Sequence, residues 1–293
     1  MLATVHQEKS ITEYTTEYGT KTNEQIIKLW LHGKSKNTQV TYSRVISKLL
    51  KYITKPLQWI TLDDLQEYMD RLEDEGLKTS TRKTYLSAVK SLLSFAQKTG
   101  LIQLNVGAAV KAPKSKDCLS QKILAEDVVK SMIADESNTR NVLILKVLYY
   151  AGLRVSELTG LTWQDLQGDR LTVFGKGSKT RVVRLMPALA TELQNYKPAD
   201  AGNDEPIFCS RKGKGKGFLA REYVTNLVKK AAKRVGASDS VSAHWLRHAH
   251  ASHSLDKGCP ISLVQATLGH SNVATTSKYL HAKPNESSSL FLG

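Results

Sequence analysis

Cysteine is scarce in this chain and poorly placed for structure. Cys118, Cys209 and Cys259 are odd in number, far apart and free of any CxxC pair, which excludes a disulfide framework and a cysteine-built zinc site. A reducing cytoplasm suits such usage. Long apolar runs are missing as well. No stretch reaches the roughly 20 apolar residues of a membrane span, and the opening MLATVHQEKS has no apolar targeting core. No internal repeat of fixed period occurs, and low complexity is confined to RKGKGKG at 211–217. GKGSKT at 175–180 lacks the GxxxxGK(S/T) spacing of a nucleotide-binding loop, and no cluster of carboxylates offers a magnesium site. The expected cofactor is none.

Acidic residues are in deficit. Lys and Arg total 42 against 27 Asp and Glu, a net charge of +15 over 293 residues, of which 41% are apolar. Such a chain can bury a sizeable core and has the length of two ordinary domains. Its surplus charge calls for a polyanionic partner. The surplus is evenly spread, with 18 basic and 11 acidic residues up to Lys116 and 24 and 16 from Asp117 onward. Two basic lobes, unlike one basic tail, suit a protein that closes around a double-stranded nucleic acid.

Residues 1–20 are polar and lack an apolar period, as expected of a flexible lead-in. From Asn23 the pattern turns helical. Ile26, Ile27 and Trp30, then Val40, Val45, Ile46, Leu49, Leu50 and Ile53, recur near 3.6 residues and predict two helices. Thr61 and Asp64 have the spacing of a capping box, opening a third helix with Leu62, Leu65, Tyr68, Met69 and Leu72 inward and Gly76 as its stop. A fourth, over 80–98, stacks Tyr85, Leu86, Val89, Leu92, Leu93 and Ala96. The expectation is a helical DNA-binding domain over 21–110 that offers Tyr42, Arg44, Lys48, Arg82, Lys83 and Lys90 to a groove or to phosphate. Lys111 and Lys114 belong to KAPKSK, where Pro113 and Ser115 break the helical pattern. A basic linker is therefore placed at 111–118 and a second domain at 119–293.

In that second domain 125–134 and 140–151 read as helices, the latter inward through Val142, Leu145, Leu148 and Tyr149 and ended by Gly152. Arg154 follows in a turn before a helix from about Ser156, a place from which it can reach a phosphate. Glu157, three residues on, can hold it in position. Over 170–185 the period changes to two: Leu171 and Val173, a turn at Gly175-Lys176-Gly177-Ser178, then Val182, Val183 and Leu185. This predicts a β-hairpin whose flanking glycines let Lys176 approach a duplex closely. Lys179 and Arg181 read as phosphate contacts. A basic helix over 222–235 turns Tyr223, Leu227 and Val228 inward and leaves Lys229, Lys230, Lys233 and Arg234 for DNA. The fold class is mainly α with a small β-hairpin or sheet in the second domain, α+β.

Residues 244–279 gather the reactive side chains. His244 and Arg247 in HWLR share a helix face and can point at one anion. Arginine brings a fixed fork of donors, histidine a proton acceptor near neutral pH. His270 follows in LGHSN, and Tyr279 brings a hydroxyl able to attack phosphorus. His244 and His248, four apart, have the spacing of a zinc pair. No nearby carboxylate or cysteine completes it, and Arg247 between them repels a cation, so no metal is assigned.

YAGLRVSEL, FGKGSKTRVVRL, HWLRH and LGHSNVATTSKY occur in that order. The set resembles the catalytic domain of tyrosine site-specific recombinases, the phage integrase and Xer-like family, and the resemblance runs over nearly the whole chain. It implies a helical core-binding domain and a catalytic domain that clamp DNA, joined by a basic linker. Many relatives carry Asn-Pro near that linker, where this chain has Asn105-Val106, which leaves the linker geometry open. The implied reaction is attack by Tyr279 on a phosphodiester, giving a 3′-phosphotyrosine and a free 5′-hydroxyl without metal or nucleotide. Arg154, Arg247 and His270 are then clamps on the non-bridging oxygens, His244 takes and returns the tyrosine proton, and Lys176 protonates the leaving oxygen. Recombination implies a homotetramer on two duplexes, with or without a second recombinase. Leu290, Phe291 and Leu292 are candidates for an anchor in a neighbouring protomer. The lead-in is too short to fold into the arm-binding domain some integrases carry. The same residues admit a type IB topoisomerase, and a DNA-binding regulator is the non-enzymatic reading; the full set of six reactive side chains argues against the regulator.

Overall fold

The structure, a computed structural model, describes residues 23–114, 119–175, 179–210, 217–270, 272–277 and 279. The chain divides into two compact units, Met1–Lys116 and Asp117–Gly293. The expected lead-in, Lys176, the 211–216 stretch and the tail anchor Leu290, Phe291 and Leu292 lie outside the described residues.

In the first unit α1 (Asn23–Leu31), α2 (Lys36–Tyr52), α3 (Leu62–Asp74) and α4 (Thr79–Lys98) form a bundle. Two of them open on caps written in the sequence. The Ser35 side chain accepts from the Thr38 amide to start α2. At α3 the Thr61 hydroxyl accepts from the Asp64 amide at 3.2 Å, and the Asp64 carboxylate from the Thr61 amide at 2.9 Å. Ile26, Trp30, Ile46, Leu49, Tyr68, Leu72, Leu92 and Leu93 are buried in the centre. Val40, expected inward, is 70% exposed. It sits roughly 160° around α2 from Tyr42 at about 100° per residue, on the solvent side of the buried stripe. Asn105 donates to the Ser94 hydroxyl at 3.1 Å, tying the segment after α4 back onto it.

The second unit contains α5 (Glu126–Ala134), α6 (Thr139–Tyr150), the short α7 (Val155–Leu158) and strands β1 (Leu166–Gln167), β2 (Arg170–Phe174) and β3 (Thr180–Arg184). After them come α8 (Pro187–Tyr196), α9 (Arg221–Arg234), α10 (Ala243–Asp256), α11 (Ile261–Leu268) and α12 (Val273–Ser277). Helix α6 is the hub, packed against α5, α8, α9 and α10. It buries Leu143, Ile144, Leu145, Val147, Leu148 and Tyr149, the pattern of a helix with core on several sides. The three strands form one antiparallel sheet in the order β1-β2-β3. Leu171 pairs with Val183 and Val173 with Arg181, which puts these four on the inner face. Val182, next to the buried Val183, is 59% exposed, because consecutive strand residues cannot share a face. Tyr223 is a second correction. Its ring is exposed on α9, 4.8 Å under the buried Arg140 guanidinium, and its hydroxyl accepts from Arg140 and donates to Asn141. A phenol with polar partners at the rim has no need of the core. Among the described residues no helix is long and apolar enough to cross a membrane.

Candidate active site

Helix α6 stops at Gly152, where φ is +61° and a Cβ would come within 2.8 Å of both His250 and Leu268. Only glycine meets both demands. The reversal sets Arg154 at the start of α7 in extended backbone. Its amide donates to Glu157 Oε2 at 2.9 Å and its guanidinium to Oε1 at 2.7 Å. Arg181 closes the other side from the inner face of β3. Its Nη1 and Nη2 donate to Oε1 and Oε2 at 3.0 and 2.8 Å, and its Nε to the Thr267 carbonyl at 2.7 Å. Burial pushes the Glu157 carboxyl up, but the donors from Arg181 and Arg154 outweigh it and hold it at about 2.

Arg181, expected as a phosphate contact, has its donors drawn inward here and a side chain 12% exposed. The signal was in the strand alternation, since Arg181, Val183 and Leu185 fall on one face and the other two are apolar.

Helix α10 presents His244, Arg247 and His248 within one turn. Arg247 is 5% exposed and donates to the Gly152 carbonyl at 2.6 Å and the Leu268 carbonyl at 2.5 Å, with Glu157 3.9 Å away. Burial, then the neighbouring Arg154 charge, lowers its pKa to about 9. His244 stands on the exposed edge of the helix. Desolvation of its packed side, then the charges of Arg247 and Arg154, depresses its pKa.

Helix α11 ends at Gly269 in the left-handed region, φ +64°, and delivers His270. His270 Nδ1 lies 2.9 Å from the Thr276 hydroxyl on α12, and burial followed by the charge of Arg247 brings its pKa to about 4. Tyr279 follows with its amide bonded to the Thr276 carbonyl at 3.0 Å. Its ring is 3% exposed, packed among Ala251, Leu255, Val264 and Leu268. Burial raises the phenol's pKa, partly opposed by Arg247. The hydroxyl is 2.7 Å from His248 Nδ1. His248, held at about 4 by burial and then by His244, Lys122 and Arg247, is the residue that sequence reasoning left without a role. Its signals were the i, i+4 spacing from His244 and its place as the second histidine of HWLRH.

Arg154, Lys179, Arg181 and His270 line an open cleft of about 520 Å³. Arg154, Lys179 and the His270 ring N–H suit an anion, while Arg181 lines the cleft with its donors turned to Glu157 and the Thr267 carbonyl. The structure thus brings Arg154, His244, His270 and Tyr279 within electrostatic reach of Arg247, and Glu157 lies beside the two arginines. Lys176 is flanked by the described Gly175 and Lys179, whose amide and carbonyl bond at 2.8 Å. The His244 and His248 ring centres are 6.5 Å apart, and among the described residues no three His, Cys, Asp or Glu side chains converge as a metal site would need.

The other expected DNA contacts divide. Arg44, Lys111, Lys114, Lys179 and Lys230 are exposed. Arg82 is ion-paired with Glu73 and its side chain is 11% exposed. Lys48 is paired with Glu75 and lies over the Tyr85 ring, and Tyr42 stacks on Trp30 at 5.4 Å. Lys83 is half-buried. Arg82, Lys48 and Tyr42 have partners within their own unit because acidic and aromatic residues of α1, α3 and α4 fall opposite them.

Residues 122–286 match the phage integrase family, and residues 26–100 match the phage integrase N-terminal SAM-like domain. The tyrosine recombinase XerA of Pyrococcus horikoshii is 35% identical over 254 residues, covering 86% of this chain and 85% of the relative. XerD of Proteus mirabilis is 32% identical over 299 residues, covering 94% of each. Among solved structures, a lambda integrase dimer bound to a COC' core site shares the fold with a TM-score of 0.73 at 23% identity, covering 90% of this chain and 77% of that one. With its family match spanning more than half the sequence, the chain belongs to the phage integrase family and is a tyrosine recombinase.

Proposed function

We propose that the chain carries out site-specific recombination of double-stranded DNA by cleaving and rejoining strands through a 3′-phosphotyrosine. The observation that carries this reading is the convergence of Arg154 and His270 on one cationic cleft, with Arg247 of α10 bonded to the Gly152 and Leu268 carbonyls two residues before each of them and the Tyr279 hydroxyl, beyond α12, held at His248 of the same α10.

The phenolic oxygen of Tyr279 forms a bond to phosphorus as the bond to the 5′-oxygen breaks. Arg154 and Arg247 neutralise the non-bridging oxygens as their charge rises, and His270 adds a hydrogen bond. The phenol's proton passes to His244, and the departing 5′-oxygen takes a proton from Lys176. His248 holds the hydroxyl before the phosphate is engaged. A ring held at about 4 is a sound hydrogen-bond acceptor and a poor proton carrier near neutral pH. Arg154, Arg247 and the buried Tyr279 support the reading as a set, since a free phenol with its ordinary pKa of roughly 10 needs such an electropositive setting to attack.

The ester keeps the energy of the phosphodiester, so a 5′-hydroxyl from another strand reverses the step with no nucleotide and no metal. Exchange between two duplexes takes four such sites, from a homotetramer or from this chain and a second recombinase. A nicked suicide duplex tests the proposal. Wild type becomes covalently attached, Tyr279→Phe binds the duplex and does not; covalent product from Tyr279→Phe overturns the assignment.

A further inference from the structure

One guanidinium outside the six assigned residues touches three segments that carry them. Arg181 grips both oxygens of Glu157, the carboxylate that holds Arg154 by its amide and by its side chain. Its Nε donates at 2.7 Å to the Thr267 carbonyl, three residues before His270. Gly269, between them, lies flat against it: a Cβ there would stand 3.1 Å from Arg181 Cδ and 3.3 Å from Nη1, on a backbone with φ +64°. Gly175, at the neck of the hairpin, lies in ordinary contact range, with its missing Cβ 3.7 Å from Arg181 Nη1 and 3.7 Å from Glu157 Oε1.

The chemistry of the side chain fits a brace. A planar fork with donors on three nitrogens can satisfy a carboxylate sideways and a carbonyl end-on at once; a lysine ammonium is a point charge and cannot hold both directions. Three of the guanidinium's hydrogens are directed inward by these bonds.

We propose that Arg181 is a positioning residue, which fixes Arg154 and His270 at the separation the phosphate clamp requires and does not itself bind DNA. The inference rests on the strand-transfer reading above. It also gives Gly269 a reason beyond its backbone angle, because a side chain there would press on the brace, its Cβ 3.1 Å from Arg181 Cδ.

The test uses the full chain with Arg181→Lys and Arg181→Ala, each checked for native circular dichroism, with two readouts. The first is duplex affinity against salt. A brace leaves the log-log slope unchanged, whereas loss of a phosphate contact flattens it by about 0.9. The second is single-turnover cleavage of a suicide duplex carrying either an ordinary 5′-oxygen or a sulfur at the leaving position. Both variants should cleave about a hundredfold more slowly, the scale of a clamp displaced by an ångström. The sulfur, which leaves without protonation, should not restore them, since the defect lies in the clamp and not in the acid. Added guanidinium should restore part of the rate of Arg181→Ala. Cleavage at the wild-type rate by Arg181→Lys, a flattened salt slope, or full rescue by sulfur each overturns the proposal. If Arg181→Ala does not fold, Arg181→Lys decides on the same readouts. Failure of the wild type to form the Tyr279 adduct would instead remove the underlying reading.

Discussion

The Tyr279 hydroxyl lies 2.7 Å from His248 Nδ1, one turn of α10 beyond His244, the histidine marked by the sequence as the proton acceptor. Holding a nucleophile and deprotonating it are separable tasks. His248→Ala should cleave a suicide duplex within about tenfold of wild type, whereas His244→Ala should fall by about 10²–10⁴, the range of a lost general base. Single-turnover rates on one substrate compare them. Equal losses would assign the proton transfer to both rings.

Glu157 predicts a stability effect with a defined pH window. Its folded pKa of about 2 lies below the ordinary carboxyl value of 4.5, so it contributes stability that is present above about 4.5 and lost as pH falls toward 2. Glu157→Gln should therefore destabilise the chain by about 3–5 kcal/mol at pH 7, leaving buried arginines short of their counter-charge, and the gap to wild type should close in acid. Urea unfolding at pH 7 and near pH 3 measures both. A pH-independent gap would mean the loss is one of shape and not of charge.

The histidines act in a higher window. Burial leads the causes that hold His248, His250 and His270 at about 4, against 6.5 for a free ring. As pH falls from about 6.5 to 4 the unfolded chain takes up protons that these rings refuse, so stability drops. The urea midpoint should be lower at pH 5 than at pH 7. An unchanged midpoint would show that the rings are as free to titrate in the fold as out of it.

Lys176 is tested by its leaving group. An alkoxide leaves poorly without a proton, a thiolate leaves well. Lys176→Ala should cleave an ordinary site very slowly and recover much of its rate on a 5′-bridging phosphorothiolate, whereas Arg154→Ala recovers little. Rescue of Lys179→Ala in place of Lys176→Ala would move the acid along the hairpin.

Affinity for duplex should fall steeply with salt, with a slope near −0.9 per phosphate neutralised. Two basic units predict at least six contacts, hence about a thousandfold loss between roughly 50 and 200 mM. A slope near half of that would leave one unit off the DNA, and a flat response would contradict the clamp altogether.

The elements that the sequence disclosed were those with a local cause. The capping box of Thr61 and Asp64, the glycine stops at Gly152 and Gly76, and the hairpin's change of period are each decided by residues a few positions apart. The very short β1 and the modest α8, entered by Pro187 at its first turn, left too little period to read. The site was legible as an ordered set of reactive residues. Its wiring was not, because Arg181 reaches Thr267 across 86 positions and Arg247 reaches Gly152 across 95, and nothing local records such contacts. Charge was the least specific signal. A lysine or arginine on a helix or strand was read as facing DNA, while Arg82, Lys48 and Arg181 face carboxylates of their own unit.

Three guanidiniums, those of Arg154, Arg181 and Arg247, surround the single carboxylate of Glu157. Like charges crowded out of water strain the fold that holds them, so the centre of this enzyme is also its weakest place to engineer for heat resistance. A second acid introduced beside Arg154 would raise the melting temperature and extinguish the reaction, because it would settle in the seat of the phosphate. Thermostable versions of such a chain have to be sought in its helix caps and its outer faces, with this one imbalance left alone.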